Sequence, residues 1–325
     1  MQGVKEKALE LLSSGKAQRV LGWKKGEFFY DLTPGTFESV QEIEREFQYG
    51  VFAGANLSKY CIAESKKDGV TAVFLKPCDT YSFVQLLKEY KIKREKVYIV
   101  GVQCGGMCDM ERIRARGISG ATAVEEAGED LRISTIYGEE TMKKADALLL
   151  KCATCKSKKL VIFDELLGEQ GEDCAGCGRF EEVERLEALS PEERFSFWRG
   201  ELSRCIRCNA CRNVCPACTC ETCVFDNHNL GTDNKAAASD FEENFFHIIR
   251  SFHVTSRCTD CGECSRVCPQ HIPLHLLNRK LIRDTNELYG AYQAGADLET
   301  KPPLMDFRAD DCEPSVVYER GGAKQ

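Results

Sequence analysis

Two groups of four cysteines in the second half of the chain share one spacing, C-x2-C-x2-C-x3-C-P. The first group comprises Cys205, Cys208, Cys211 and Cys215. The second group comprises Cys258, Cys261, Cys264 and Cys268. A proline follows each group, at Pro216 and Pro269. Thiolates at this spacing hold a cubane iron–sulfur cluster. Three of them lie on one loop around a cluster, and the fourth ligates the neighbouring cluster.

The spacing therefore predicts two 4Fe–4S clusters that exchange their fourth ligand. The predicted ligands of cluster 1 are Cys205, Cys208, Cys211 and Cys268. The predicted ligands of cluster 2 are Cys258, Cys261, Cys264 and Cys215. Zinc also accepts four thiolates, but a zinc site is built from two CxxC pairs and would leave cysteines and both prolines unexplained.

Two further cysteines follow strands predicted in the first half of the chain. Cys78 comes after an apolar strand at Val70–Leu75, and Cys104 comes after a second strand at Lys96–Val102. Ligands in open α/β sheets bind at the carboxyl ends of the strands. Both loops are therefore expected to face one crevice.

The thiols of this crevice fit two kinds of metal site. The predicted ligands of a third 4Fe–4S cluster are Cys104, Cys152, Cys155 and either Cys78 or Cys108. The alternative is a zinc ribbon, whose two CxxC pairs would be Cys152 with Cys155 and Cys174 with Cys177. We favour the third cluster because the second half of the chain is already built for electron transfer.

The loop after the second strand is also a candidate cofactor site. Its candidate cofactor-binding residues are Gly101, Cys104, Gly105 and Gly106. Adjacent glycines let the backbone approach a cofactor closely. The loop lacks the G-x-G-x-x-G pattern, so it does not predict a nicotinamide site. Cys104 is alternatively a small buried apolar residue.

Hydrophobic periodicity supplies the elements that position these residues. Strands and helices alternate through the first half, which predicts an α/β domain with a parallel sheet flanked by helices. Short apolar runs predict further strands at Phe28–Leu32 and Leu160–Phe163, and helical spacing predicts a helix at Glu139–Leu150. We predict three regions: the α/β domain at 1–185, an α-helical two-cluster ferredoxin-like domain at 186–290, and an extended tail at 291–325 that docks a partner.

Composition limits the class of protein. The 325 residues carry a formal net charge of −7 and include 20 cysteines. This negative net charge does not indicate a basic surface that would bind nucleic acid. No apolar stretch is long enough to predict a membrane span. The N-terminus has no signal-peptide pattern, so the cysteines predict metal ligands in a reducing, oxygen-poor cytoplasm.

The cysteine motifs carry resemblances to known families. The C-P-x-C-T-C run that begins at Cys215 resembles the iron–sulfur subunits of anaerobic sulfite reductase and of archaeal sulfhydrogenases. The first half resembles the β subunits of coenzyme F-420-reducing hydrogenases and formate dehydrogenases, in which the loop at 101–105 would match a flavin-side loop. One difference is expected: those β subunits carry the ferredoxin part before the α/β part, whereas this chain carries it after.

These features predict an iron–sulfur electron-transfer subunit of a cytoplasmic anaerobic oxidoreductase complex. Its predicted partners are a hydrogenase, formate dehydrogenase or flavin subunit and a heterodisulfide-reductase-like subunit. The alternative is an FAD-containing catalytic subunit that exchanges hydride with a deazaflavin or nicotinamide. Three arginines beside cluster 1 would raise its potential relative to cluster 2, whose loop carries two acids. These residues are Arg204, Arg207, Arg212, Asp260 and Glu263.

Overall fold

The computed structural model describes residues 2–227 and 240–306. The first half contains eight strands in two sheets. The strands are β1 Arg19–Lys25, β2 Leu32–Phe37, β3 Thr71–Leu75, β4 Val97–Val102, β5 Ala121–Ala127, β6 Asp130–Thr135, β7 Gly138–Lys143 and β8 Glu165–Leu167. The helices of this half are α1 Gln2–Ser13, α2 Val40–Glu46, α3 Cys61–Glu64, α4 Pro77–Lys88, α5 Met110–Ala115, α6 Lys144–Ala147 and α7 Leu150–Ala153.

The larger sheet has the strand order β2–β1–β3–β4–β8. Strands β1, β3, β4 and β8 run parallel to one another, and β2 is an antiparallel edge strand. Every residue of β3 is buried, as expected of a parallel strand covered on both faces. Trp23, Phe37 and Phe74 are among the largest fully buried side chains. The predicted α/β domain with a mostly parallel sheet is confirmed.

The smaller sheet, β5–β6–β7, is antiparallel and was not predicted. The helix predicted at Glu139–Leu150 is wrong in its first part, because Gly138–Lys143 is a strand paired with β6, and the helix α6 covers only Lys144–Ala147. Glutamate, methionine and lysine are good helix formers, but the φ of +137° at Gly138 makes a tight turn that returns the chain along β6. Cross-strand pairing has therefore overridden local propensity.

Two short strands were also misplaced. Residues 28–31 form a turn in which the Asp31 amide donates to the Phe28 carbonyl, 2.9 Å away, so the strand begins only at Leu32. The strand predicted at Leu160–Phe163 lies a few residues later, at Glu165–Leu167. Short apolar runs show that a segment is buried but do not fix its bounds.

The second half is helical. Its helices are α8 Glu181–Glu187, α9 Pro191–Ser203, α10 Ala210–Val214, α11 Asp240–His253, α12 Glu263–Arg266 and α13 Leu274–Tyr289. The α9 helix begins with a capping box in which Ser190 and Glu193 exchange hydrogen bonds. Leu202 of α9, Phe246 of α11 and Leu274 of α13 share one buried core with the cysteine loops. Apolar side chains of α8 pack against α13.

The predicted docking tail lies partly outside the described residues, from 307 onward. Its described part contacts the α/β domain, since the Lys88 ammonium at the end of α4 donates to the Thr300 carbonyl. Within the described ranges, no helix has the length and apolar character that crossing a bilayer requires.

A buried ion pair fixes the loop after β3. The Lys76 ammonium lies 2.9 Å from Asp79 and 2.8 Å from the Ala55 carbonyl, and both charged side chains are at most 1% exposed. Lys76 also lies over the Trp23 ring, 4.4 Å from its centroid. A buried charge needs such partners, so this arrangement determines how the chain leaves β3 toward Cys78.

We expect the Asp79→Asn substitution to destabilise the protein by about 3–5 kcal/mol, because it leaves the Lys76 ammonium buried without its counter-charge. The fluorescence of Trp23 during chemical denaturation reports this change. Glu111→Gln removes an exposed partner of Arg114 and should cost less than about 1 kcal/mol. Equal effects of the two substitutions would contradict the role assigned to the buried pair.

Candidate iron–sulfur centres

The loops after β3 and β4 lie at one edge of the sheet. Leu75 pairs with Gly101 across the two parallel strands, so both loops leave the sheet side by side. The segment before α7 is tied to the second loop, since the Leu149 amide donates to the Met107 carbonyl at 2.8 Å. This contact delivers Cys152 to the same edge.

Four of the predicted thiols form one electrostatic group at this edge. Cys104 interacts with Cys152, and Cys155 interacts with Cys152 and Cys104. Cys78 interacts with Cys155, and the alternative residue Cys108 interacts with Cys152. The structure therefore brings together the thiols proposed for a third cluster. Their ligation of iron stays a prediction.

Burial controls the protonation of these thiols. It raises the pKa of Cys155 to about 11, with a further contribution from Cys152. It also raises the pKa of Cys104 and, together with Asp79, that of Cys78. Only thiolates bind metal, so loading iron here would release protons.

The two thiols of the remaining CxxC pair, Cys174 and Cys177, interact mainly with each other. The Cys177 thiol lies 3.3 Å from the Cys174 carbonyl, and the Cys174 thiol raises the pKa of Cys177 after the effect of burial. The Cys174 amide donates to the Lys156 carbonyl at 2.9 Å, which holds the pair beside the loop that follows Cys155. The zinc ribbon therefore remains an alternative to the third cluster.

The two ferredoxin-like loops have matching backbones. Arg207 and Asp260, two residues after the first cysteine of each loop, have φ angles of 53° and 61°. Asn209 and Gly262, two residues farther on, have φ angles of 60° and 66°. Paired left-handed residues turn each loop sharply, as winding three thiolates around one centre requires.

Electrostatic interactions also link the thiols of the two loops. Cys211 interacts with Cys268, Cys208 and Cys215, and Cys205 interacts with Cys211. Cys215 interacts with Cys258, Cys261 and Cys264, and Cys264 also interacts with Cys211. The thiols of both loops therefore lie in one group, and their division into two ligand sets stays a prediction.

Arg250 provides a test of whether clusters fit these sites. It is 2% exposed, and none of its three guanidinium nitrogens has a hydrogen-bond partner among the described residues. Burial works against its charge, but the nearby thiols, Cys264 and Cys211 foremost, hold its pKa above the ordinary value. A buried cation with unpaired donors is costly unless anionic acceptors lie beside it. Sulfur-ligated clusters would supply those acceptors.

Sequence reasoning missed the polar residues around the clusters. His247 is 1% exposed, and in the described part of the chain neither ring nitrogen has a partner. The Asn278 amide donates to the Cys264 sulfur at 3.6 Å. Lys59 donates to the Cys218 carbonyl at 2.9 Å. The helical spacing of His247 and Arg250, three residues apart on α11, was the available signal.

A different metal site would compete with cluster 1. The ligand atoms of Cys205, Glu243 and His247 lie within 4.8 Å of one another. This trio shares Cys205 with the predicted ligands of cluster 1, so one thiolate cannot serve both centres as predicted. We retain cluster 1 because it accounts for the complete repeated motif.

Buried ion pairs join the crevice thiols to cluster 2. Lys151, adjacent to Cys152, forms a buried ion pair with Glu263, which lies between Cys261 and Cys264. Glu263 also accepts a hydrogen bond from the backbone amide of Asn56 at 3.1 Å. The sheet edge and the second ferredoxin-like loop are thus packed directly together.

Three further contacts reinforce this junction. Arg279 of α13 binds Asp260 at 2.9 Å and donates to the Thr154 hydroxyl at 2.7 Å. Ser82 of α4 and Thr259 share a hydrogen bond of 2.9 Å. The loop of cluster 2 is therefore held to residues beside Cys155 and Cys78.

These pairs alter the effect expected of the two acids in the cluster 2 loop. Lys151 and Arg266, acting against burial, hold the pKa of Glu263 well below its usual range. Arg279 and Arg179, also acting against burial, lower the pKa of Asp260. Both acids are therefore ionised and paired with cations, so their charges do not act alone on the cluster.

The arginines near cluster 1 are also engaged. Arg204 pairs with Glu201 and Arg212 pairs with Asp226. Arg207 lies over the Phe246 ring, 4.2 Å from its centroid. The predicted difference in potential between the clusters thus does not follow from counting charges in the two motifs.

A cavity of about 300 Å³ opens beside the crevice thiols. Gly105, Gly106, Lys144 and Glu126 are among its lining residues. A Cβ atom on Gly106 would lie 3.7 Å from the Cβ atom of Cys152, so the cavity adjoins the proposed third cluster.

The glycines of this region serve different purposes. A Cβ atom on Gly101 would lie 2.6 Å from Leu160, so this glycine is needed for packing against that side chain. Gly106 has a φ of +96°, and its Cβ atom would lie 2.7 Å from Leu148. Gly105 lines the cavity, where a Cβ atom would lie 3.0 Å from the Lys144 ammonium.

Comparison with known proteins supports iron–sulfur clusters in the second half of the chain. Residues 201–272 match the family described as 4Fe-4S dicluster domain. F420-dependent formate dehydrogenase subunit beta of Methanocaldococcus jannaschii is 24% identical, over 91% of this chain and 92% of the relative. The chain is similar to such β subunits over nearly its whole length. A second relative, F420-dependent formate dehydrogenase 1 subunit beta of Methanococcus maripaludis, is 26% identical over 90% of each protein.

A solved structure shows a more distant likeness. A chain of the F420-reducing [NiFe] hydrogenase complex from Methanosarcina barkeri is 13% identical, with a TM-score of 0.39, and the match covers 58% of this chain and 76% of that chain. A TM-score of this size does not establish a shared fold.

The comparisons confirm the predicted resemblance to the formate dehydrogenase β subunits and the presence of a 4Fe–4S dicluster domain. The match extends over nine-tenths of both proteins. The order of the two parts in these relatives stays an expectation.

We expect Cys155→Ser to reduce the iron content of protein purified without oxygen from about twelve to about eight per chain, because one ligand of the third cluster is lost. Iron and labile sulfide analysis measures this change. Cys61→Ser is the matched control, since Cys61 is fully buried elsewhere in the α/β domain. Unchanged iron in Cys155→Ser, with zinc lost in Cys174→Ser, would instead identify a zinc ribbon.

Proposed function

We propose that this chain is the electron-transfer subunit of an anaerobic, cytoplasmic multi-subunit oxidoreductase, and that it relays single electrons through three 4Fe–4S clusters. The observation that carries the proposal is the direct packing of the crevice thiols against the cluster 2 loop through the Lys151–Glu263 pair. When bound, such clusters exchange one electron at a time, with potentials set by charge, hydrogen bonds and solvent exposure.

The order of the centres follows from the contacts. Lys151 and Thr154 belong to the segment that carries Cys152 and Cys155, and they bind the loop of cluster 2 or its neighbour Arg279. Cys215 gives cluster 2 a ligand from the loop of cluster 1. The supported sequence is therefore the sheet-edge centre, then cluster 2, then cluster 1.

Charged side chains of the protein make this path suitable for anionic centres. Lys151 interacts with Cys78 and Cys152 as well as with Glu263, and Lys59 lies near Cys215 and Cys218. Cations beside sulfur ligands favour the more negative, reduced state of a cluster. Lys59 thus provides positive charge beside Cys215, whereas Glu263 offsets the charge of Lys151.

The partner classes come from the relatives. The two similar proteins are named as β subunits of F420-dependent formate dehydrogenases. We propose that this chain likewise works beside a formate dehydrogenase or hydrogenase catalytic subunit, with a flavin or heterodisulfide-reductase-like subunit as the other partner.

The cavity supports a second candidate function, a flavin-containing subunit that exchanges hydride with a deazaflavin or nicotinamide. The cavity is lined by Gly105 and Gly106 and by the ion pair between Lys144 and Glu126. A bound flavin would convert a hydride into single electrons. The protein's part would be to hold the flavin against Gly105 and Gly106.

Cofactor content tests the proposal directly. For protein purified without oxygen we expect about twelve irons and about twelve labile sulfides per chain, without zinc or flavin, and reduction by dithionite in one-electron steps. Iron, sulfide and zinc analysis, together with a flavin spectrum after acid precipitation, measures the content. One flavin per chain would favour the second candidate. Absence of 4Fe–4S signals would refute both.

A further inference from the structure

The environment of Arg250 differs from that of the other arginines near the clusters. Arg212 and Arg266 form ion pairs with Asp226 and Glu263. Arg250 is more deeply buried than either, and its Nε and both Nη atoms have no hydrogen-bond partner in the described part of the chain.

The position of Arg250 is defined by the thiols around it. Its interactions include Cys211, a predicted ligand of cluster 1, and Cys264 and Cys215, predicted ligands of cluster 2. Each of these thiols in turn has Arg250 among its neighbours. Electrostatic interaction therefore connects one buried guanidinium group with both predicted ligand sets.

Helix α11 fixes this position. Phe246 and Arg250 are four residues apart and lie on one face of the helix. Phe246 is buried in the core that contains Cys211 and Cys264. Packing of this face against α9 and α13 leaves the guanidinium little freedom to reach solvent.

We propose that Arg250 donates hydrogen bonds to sulfur atoms of both clusters and raises the reduction potentials of the two together. The guanidinium has five N–H donors in a planar fork, enough to serve two acceptors at once. Its fixed positive charge stabilises the added negative charge of a reduced cluster. Reduction adds one electron to a cluster and breaks no covalent bond.

This inference rests on the proposed function, because it requires both clusters. Its consequence for the relay is that one residue shifts the potentials of clusters 1 and 2 in the same direction, so that both accept electrons more readily.

Redox titration monitored by electron paramagnetic resonance tests the inference in the full-length, iron-loaded protein. Arg250→Gln should lower the midpoint potentials of both clusters, since it removes the charge and most donors. Arg250→Lys should lower them less, because an ammonium keeps the charge but lacks the planar fork. Arg212→Gln is the control and should cause a smaller shift, since Asp226 already offsets that charge.

Iron analysis separates this inference from the proposed function. Wild-type protein without 4Fe–4S signals would refute the proposed function itself. Fully loaded Arg250→Gln with both potentials unchanged would overturn only the role of Arg250, as would a shift confined to one cluster. If Arg250→Gln is isolated without iron, Arg250→Lys decides: lower potentials of both clusters support the inference, and wild-type potentials contradict it.

Discussion

Glu263 is a fully buried carboxylate, and the junction between the two halves of the protein depends on its neutralisation. Lys151 from the α/β domain and Arg266 from the next turn of its own helix both bind it, and the Asn56 backbone amide completes the contact. Removing one of these cations would leave part of the buried carboxylate charge uncompensated in a medium of low polarity. The α/β sheet edge and the cluster 2 loop are therefore held in one arrangement.

This constraint also sets where the two groups of cysteines lie relative to each other. Thiols at the end of a parallel sheet are common enough as small buried residues. Here Cys78 and Cys152 interact with Lys151, whose ammonium also binds Glu263 of the second ferredoxin-like loop. The ion pair thus connects two structurally unrelated groups of cysteines.

Charge within the helical half is organised differently from what the motifs suggest. Asp260 and Glu263 are each neutralised by two cations, whereas the Arg250 guanidinium meets thiols from both ligand sets. The electrostatic setting of the clusters therefore depends on α11, an element that belongs to neither motif. Charges adjacent to a ligand in sequence are a poor guide once a fold pairs them.

The sequence alone determined the chemistry of the second half and the class of the first half. Cysteine spacing carries the identity of a cluster ligand set because the metal centre dictates the loop, and buried apolar strands identify a parallel sheet. The sequence did not reveal the sheet β5–β6–β7, because strand pairing prevailed over the helix propensity of the residues at Gly138–Lys143. Tertiary structure alone brought Lys151 to Glu263 and Arg250 to both ligand sets, because such contacts join residues far apart in the chain and leave no local pattern.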